Sequence, residues 1–142
     1  MMELVPLAEA ELTYGSLDVL DFGVDGLVYG SLDGRLHGER LSGSMRATNL
    51  APRRPDGVTL PTLRGVLVTD DGAQVWVEVD GVATTREADG ARVFVTTVRF
   101  RTGAPSYRWL DTVVGLQEGR LDRVGDALVA RGTIVECRPT IA

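Results

Sequence analysis

Gln74-Val75-Trp76-Val77-Glu78-Val79 puts three valines on one side of an extended chain and Gln, Trp and Glu on the other. Successive side chains of a strand point to opposite faces, so a period of two marks a strand with two different faces. Asp71-Gly72 precedes this run and Asp80-Gly81 follows it. Asp-Gly suits the positive-φ positions of tight hairpin turns, so the run reads as one strand between two turns.

The same grammar extends in both directions. Asp25-Gly26, Asp33-Gly34, Asp56-Gly57 and Asp89-Gly90 are further turn candidates, and the 17 glycines are spread along the chain. Segments between them are rich in Val and Thr. Strands are expected at 8–15, 26–33, 38–48, 58–69, 74–79, 81–87, 91–102, 112–120 and 126–137. No long window has a period of 3.6; Leu17 to Phe22 has room for one helical turn. Pro61 falls inside an expected strand, which points to an edge or a bulge there. About nine antiparallel strands cannot lie as one flat sheet, and hairpin connections favour rolling up in chain order. The expected fold is therefore all-β: a single-domain antiparallel up-and-down β-barrel of about 8–10 strands over residues 1–142.

Composition narrows the function classes. With 142 residues, 44% apolar and 25% charged, the chain suits one globular core. All fifteen basic residues are arginines, as GC-rich bacterial coding produces, and the net charge is −5. That balance, with no basic run, argues against nucleic acid and a membrane surface as partners. The first residues carry Glu3, Glu9 and Glu11 and no basic region, so they do not read as a signal peptide. A cytoplasmic location is expected. The single cysteine, Cys137, excludes an internal disulfide and a cysteine-based zinc site.

Ordered motifs over about residues 26–136 resemble a bacterial domain-of-unknown-function family, number 3237. They are Gly30-Ser-Leu-Asp-Gly34 with Gly38-Glu-Arg-Leu-Ser-Gly43, then Arg54-Pro-Asp-Gly57, then Arg64-Gly-Val-Leu-Val-Thr-Asp-Asp-Gly72, then Tyr107-Arg-Trp-Leu-Asp111. The resemblance implies a small antiparallel barrel. It also suggests kinship with barrels of the allene oxide cyclase type, which bind or isomerise apolar small molecules; for chemistry this is analogy of fold. Two positions depart from the family pattern. Thr48-Asn49-Leu50 stands where the family has Asp-Trp, and Asp111 where it has Asn. If those positions line a site, a changed substrate is implied.

No cofactor or metal is expected. One histidine, His37, and no Gly-x-Ser-x-Gly elbow leave no Ser/His/Asp arrangement. Asp70-Asp71-Gly72 lacks the alternating oxygen ligands of a calcium loop. No glycine-rich phosphate loop is present. What remains is charge and aromaticity on strands. Arg64 alternates with Val66 and Val68, and an arginine on an apolar face needs a carboxylate or a ligand. Glu78 shares a face with Trp76, and Glu136 shares one with Leu128 and Ile134. A structural Arg–Glu pair accounts for these residues. The functional alternative sets Arg64 over a substrate oxygen and lets Glu78 or Glu136, raised in pKa by burial, move a proton. The segment Gly103–Tyr107 is expected to cap a barrel mouth, with Arg108, Trp109 and Asp111 beside it. The candidate catalytic residues are thus Arg64, Glu78, Glu136 and Asp111, and the candidate substrate-binding residues Tyr14, Tyr29, Trp76, Tyr107 and Trp109.

Two functions stay open. One is a cofactor-independent isomerase, cyclase or lyase acting on a hydrophobic small molecule, in specialised metabolism. The other is a non-catalytic binding barrel or a solid structural module. A homo-oligomer, most simply a dimer, is expected for either.

Overall fold

The computed structural model describes residues 1–142. Eight strands carry the chain: β1 (Glu3–Asp21), β2 (Gly26–His37), β3 (Gly43–Arg53), β4 (Thr62–Thr69), β5 (Gln74–Thr85), β6 (Arg92–Arg101), β7 (Val114–Val124) and β8 (Ala127–Arg138). Each is antiparallel to the next, and β8 pairs with β1, so the sheet closes into a barrel. Closure leaves no strand edge unpaired. A 3₁₀ helix, Pro105–Thr112, joins β6 to β7. No helix is long and apolar enough to cross a membrane.

The period-two reading of β5 holds: Val75, Val77 and Val79 are buried in the barrel, while Trp76 is exposed outside. The strand count is corrected from nine to eight, because Asp80-Gly81 is not a turn. Gly81 pairs with Thr96 in the middle of a continuous β5–β6 ladder. A Cβ built on it would lie 2.1 Å from the Val95 carbonyl oxygen. Glycine stands there because two backbones approach, not because the chain reverses. Reversal occurs at Asp56-Gly57, Asp71-Gly72 and Asp89-Gly90, whose glycines have φ of 85°, 92° and 71°.

Leu17 to Phe22 is also corrected: it extends β1 as strand up to Asp21 rather than forming a helical turn. A bulge between Tyr14 and Ser16 shifts the register with β2 by one residue. The inward set of β1 therefore changes from Ala10, Leu12 and Tyr14 to Leu17 and Val19. Within Leu17 to Phe22 the register is unbroken; Leu20 and Phe22 are exposed apolar residues out of step with Leu17 and Val19, and apolar residues on both faces imitate a helical pattern. Pro61, expected inside a strand, lies in the β3–β4 loop just before β4.

In an up-and-down barrel the loops alternate between the two ends, and the two ends differ here. At one end Leu36, Leu41, Leu67, Val75 and Leu110 are at most 1% exposed and form a solid plug. The 3₁₀ helix supplies Leu110, and its last turn is closed by the Val113 N–H donating to the Leu110 carbonyl at 3.1 Å. Pro105 opens it, where a missing N–H costs nothing. The segment expected to cap a mouth thus seals the end away from the cavity described below. At the other end the β3–β4 loop leans across the rim. Thr59 makes two backbone hydrogen bonds with Ala83 of β5, at 3.1 and 2.9 Å.

Candidate functional site

Above the plug the barrel is hollow. A cavity of about 290 Å³ runs from the middle of the barrel to the rim, and twenty of the twenty-six residues around it are apolar. That is about twice the volume known to accept one benzene, and near the lower limit of small-molecule sites. The cavity exists because inward positions there are small: Ala10, Ala51, Ala83 and Ala130 leave space that the plug fills with leucine.

Its polar groups are few and come from strands around the wall. Tyr14 of β1 and Asn49 of β3 form one pair. The Thr62 backbone N–H donates to Asn49 Oδ1 at 3.0 Å. A backbone N–H can only donate, so this contact orients the amide and turns Nδ2 towards Tyr14. Nδ2 donates to the Tyr14 hydroxyl oxygen at 2.9 Å. The hydroxyl hydrogen is left without a protein acceptor. Burial pushes the Tyr14 hydroxyl above its ordinary pKa; the Asn49 hydrogen bond opposes this and is the smaller effect. Tyr14 is therefore a neutral proton donor whose phenolate Asn49 is placed to stabilise.

Across the barrel, Thr96 of β6 and Gln117 of β7 are a cross-strand pair. The Thr96 hydroxyl donates to Gln117 Oε1 at 3.2 Å, which leaves the Gln117 NH₂ as a donor. Its side chain packs over Gly132, where an added Cβ would collide with the amide. Arg92 of β6 stands at the rim and is the one charged residue lining the cavity. No Asp, Glu, His or Cys lines it. The interior is thus apolar, presents hydrogen-bond donors, and holds no carboxylate base.

Of the residues singled out from sequence, only Tyr14 lines this cavity. Arg64 points outwards from β4 and is held by Asp80 at 3.1 Å and Glu78 at 3.5 Å, all three partly exposed. Its valine neighbours lie on the outer wall, while Leu63 and Leu67 face inwards. Glu136 sits at the plugged end between Arg138 and Arg40, at 3.2 and 2.8 Å. The Arg138 hydrogen bond, aided by Arg40, lowers its pKa, so the expected upward shift is corrected to a downward one. Tyr29 is exposed on the outer face of β2. Tyr107 donates to Asp71 Oδ1 at 2.9 Å on the outside of the plug. Trp109 packs against the plug, with the Arg40 guanidinium 5.0 Å over its ring. Asp111 accepts from the Thr102 N–H at 2.8 Å and pairs with Arg108. Trp76 and Asp111 do share a site, a shallow outer groove of about 580 Å³ with Arg46, Arg101 and Arg108. It is open to solvent and lacks an enclosed apolar wall.

Arg64→Ala is accordingly expected to leave ligand binding unchanged and to cost at most about 1 kcal/mol, the usual worth of a half-exposed ion pair. A urea melt and a binding isotherm check both.

Asn49, Arg92, Thr96 and Gln117 were missed. Asn49 carried a signal, since Thr48-Asn49-Leu50 departs from the family pattern. Arg92 carried a weaker one, sharing its parity with Phe94, Thr96 and Val98.

Residues 4–135 match the model of a family described as protein of unknown function, DUF3237. No curated protein matches the chain in sequence. Several solved structures share the fold. A β-barrel-like protein from Acinetobacter baumannii AYE is 21% identical, with a TM-score of 0.78 over 95% of this chain and 96% of that one. A conserved protein of unknown function from Rhodopseudomonas palustris is 22% identical, with a TM-score of 0.79 over 96% and 98%. An enzyme from Penicillium herquei is 22% identical, with a TM-score of 0.70 over 95% of each chain. At these identities the likeness is one of fold.

Proposed function

The chain belongs to the DUF3237 family of proteins of unknown function, and within it we propose that this barrel is a cofactor-independent isomerase or cyclase for a small apolar molecule bearing oxygen. The observation that carries this is the Tyr14–Asn49 pair, a half-buried proton donor facing an apolar cavity without a competing protein acceptor. The likeness to an enzyme with the same fold supports it.

The chemistry follows from the donor set. A substrate folded in the cavity brings its own nucleophile, such as a hydroxyl, against an electrophilic carbon, and the walls supply the orientation. Tyr14 donates its proton to the oxygen that gains charge as the carbon–oxygen bond breaks or the carbonyl is consumed. The Asn49 Nδ2–H supports the phenolate left behind. The attacking hydroxyl loses its proton to that phenolate as the new bond closes. No proton is gained or lost overall, so an isomerisation or cyclisation needs no second acid or base.

A non-catalytic binding barrel is the second reading, favoured by the lack of any carboxylate or imidazole along the cavity. One experiment separates the two. The purified protein is incubated with small-molecule extract of its source, and masses and retention times are compared with and without it. A compound that changes retention at constant mass supports the isomerase or cyclase. A compound that co-purifies unchanged supports the carrier. Ala130→Phe, which directs a ring into the cavity, is expected to abolish either result while leaving the melting temperature unchanged or raised, because the ring fills existing space.

A further inference from the structure

Ten of the fifteen arginines pair with a carboxylate. Arg46, Arg99, Arg101 and Arg123 do not, and all four are exposed to water. Arg92 is the remaining one, and among these five unpaired arginines it alone is half-buried. It sits where β6 meets the cavity rim, among apolar residues.

Its surroundings hold it in place without neutralising it. Nη1 donates to Thr85 Oγ1 at 3.1 Å. Nη2 donates to the Gly57 carbonyl at 3.1 Å and to Thr59 Oγ1 at 2.8 Å. These three oxygens are uncharged, and two of the five N–H donors of a guanidinium stay free. Thr59 belongs to the loop that leans across the rim, so the same contacts fix both the loop and the charge. Burial pushes the Arg92 pKa down, and no carboxylate pulls it back up. A guanidinium stays protonated at neutral pH regardless.

A neutral apolar ligand entering this mouth would strip further water from Arg92 and return nothing. An anionic group would replace that water with a charge-assisted hydrogen bond. The cavity has no second charge to balance. We infer that Arg92 recognises a carboxylate, and that the ligand is a monoanionic small acid whose apolar body extends from Arg92 into the barrel towards Tyr14. This rests on the reading that the barrel interior is the binding site, and it adds the chemical class of the substrate.

The probes are a matched bicyclic pair, 2-naphthoate and its methyl ester, titrated at pH 7 by ligand fluorescence against the wild-type protein, Arg92→Gln and Arg92→Lys. The naphthoate is expected to bind the wild type about ten- to a hundredfold more tightly than the ester, the range for a hydrogen bond to a charged group. Arg92→Gln should remove that preference while still binding the ester, which also shows that the variant is folded. Arg92→Lys should keep part of it. Equal wild-type affinity for acid and ester, or an acid preference that survives Arg92→Gln, overturns the role of Arg92 and leaves the cavity reading intact. Binding of neither probe overturns both.

Discussion

Tyr14→Phe is expected to lower turnover of the natural substrate by about 10²–10⁴-fold, the range for loss of a positioned general acid. Only one oxygen is removed, so the ring still fills its place on the wall and substrate affinity should stay within a few-fold. The loss should therefore fall on kcat and not on KM, as for an interaction made in the transition state. The pH profile adds a check. Burial holds the Tyr14 hydroxyl above its ordinary value of 10.0, so the wild-type rate should persist to about pH 10 and fall only beyond it. The residual rate of Tyr14→Phe should not show that fall. Stability follows the same sign. A group whose folded pKa is raised contributes stability that is complete below the unfolded value and is lost as pH rises through the folded one. Alkaline melts should thus weaken above about pH 10, and by less in Tyr14→Phe. Tyr107 is also raised, by its hydrogen bond to Asp71, so the wild type and the variant must be compared directly. Unchanged kcat in Tyr14→Phe would remove the proton-donor role and favour the carrier.

Gly81→Val should cost about 3 kcal/mol or more, or prevent folding. The added Cβ would lie 2.1 Å from the Val95 carbonyl oxygen and 2.6 Å from the Thr96 Cα, both backbone. Neither atom can move without opening the β5–β6 ladder, and overpacking against backbone has no rotamer that relieves it. Gly72→Ala is the contrast. Nothing lies within 4 Å of its added Cβ, and the strain comes only from a φ of 92°. Its cost should be about 1–2 kcal/mol, that of placing an L side chain in left-handed backbone. Urea denaturation of the two variants ranks them. Equal costs would mean that Gly81 acts as a turn residue after all.

Those two glycines show how far sequence reading went. Both follow aspartate, and both read as hairpin turns. At Gly72 the reading holds because local backbone energetics decide a turn. At Gly81 it does not, because the cause is a neighbouring strand distant in sequence. Leu17 to Phe22 misled in another way: apolar residues on both faces of the strand, Leu17 and Val19 on one and Leu20 and Phe22 out of step with them, imitated a helical period.

The site was less legible than the fold, for a related reason. Alternation separates two faces and does not say which is inside. In β4 it grouped Arg64 with Val66 and Val68, and the structure puts that group on the outer wall, where Asp80 and Glu78 hold the arginine. In β6 it grouped Arg92 with Phe94 and Thr96, and that group faces in. Both strands mix charge with apolar residues, so no hydrophobicity count distinguishes them. Tyr14 was found as an aromatic on a strand, but its partner was not, since Asn49 gains its meaning only from Thr62 and Tyr14 beside it.

The period of two, the turn pairs and the lack of any sustained 3.6 period determined an antiparallel barrel closed in chain order, because these are local properties of strands and turns. Only the closed structure decided which face is interior, that one end is plugged and the other hollow, and that Tyr14, Asn49, Gln117 and Arg92 share the hollow end. Those facts depend on side-chain volumes meeting across the barrel from strands far apart in sequence, where packing and not propensity sets the outcome.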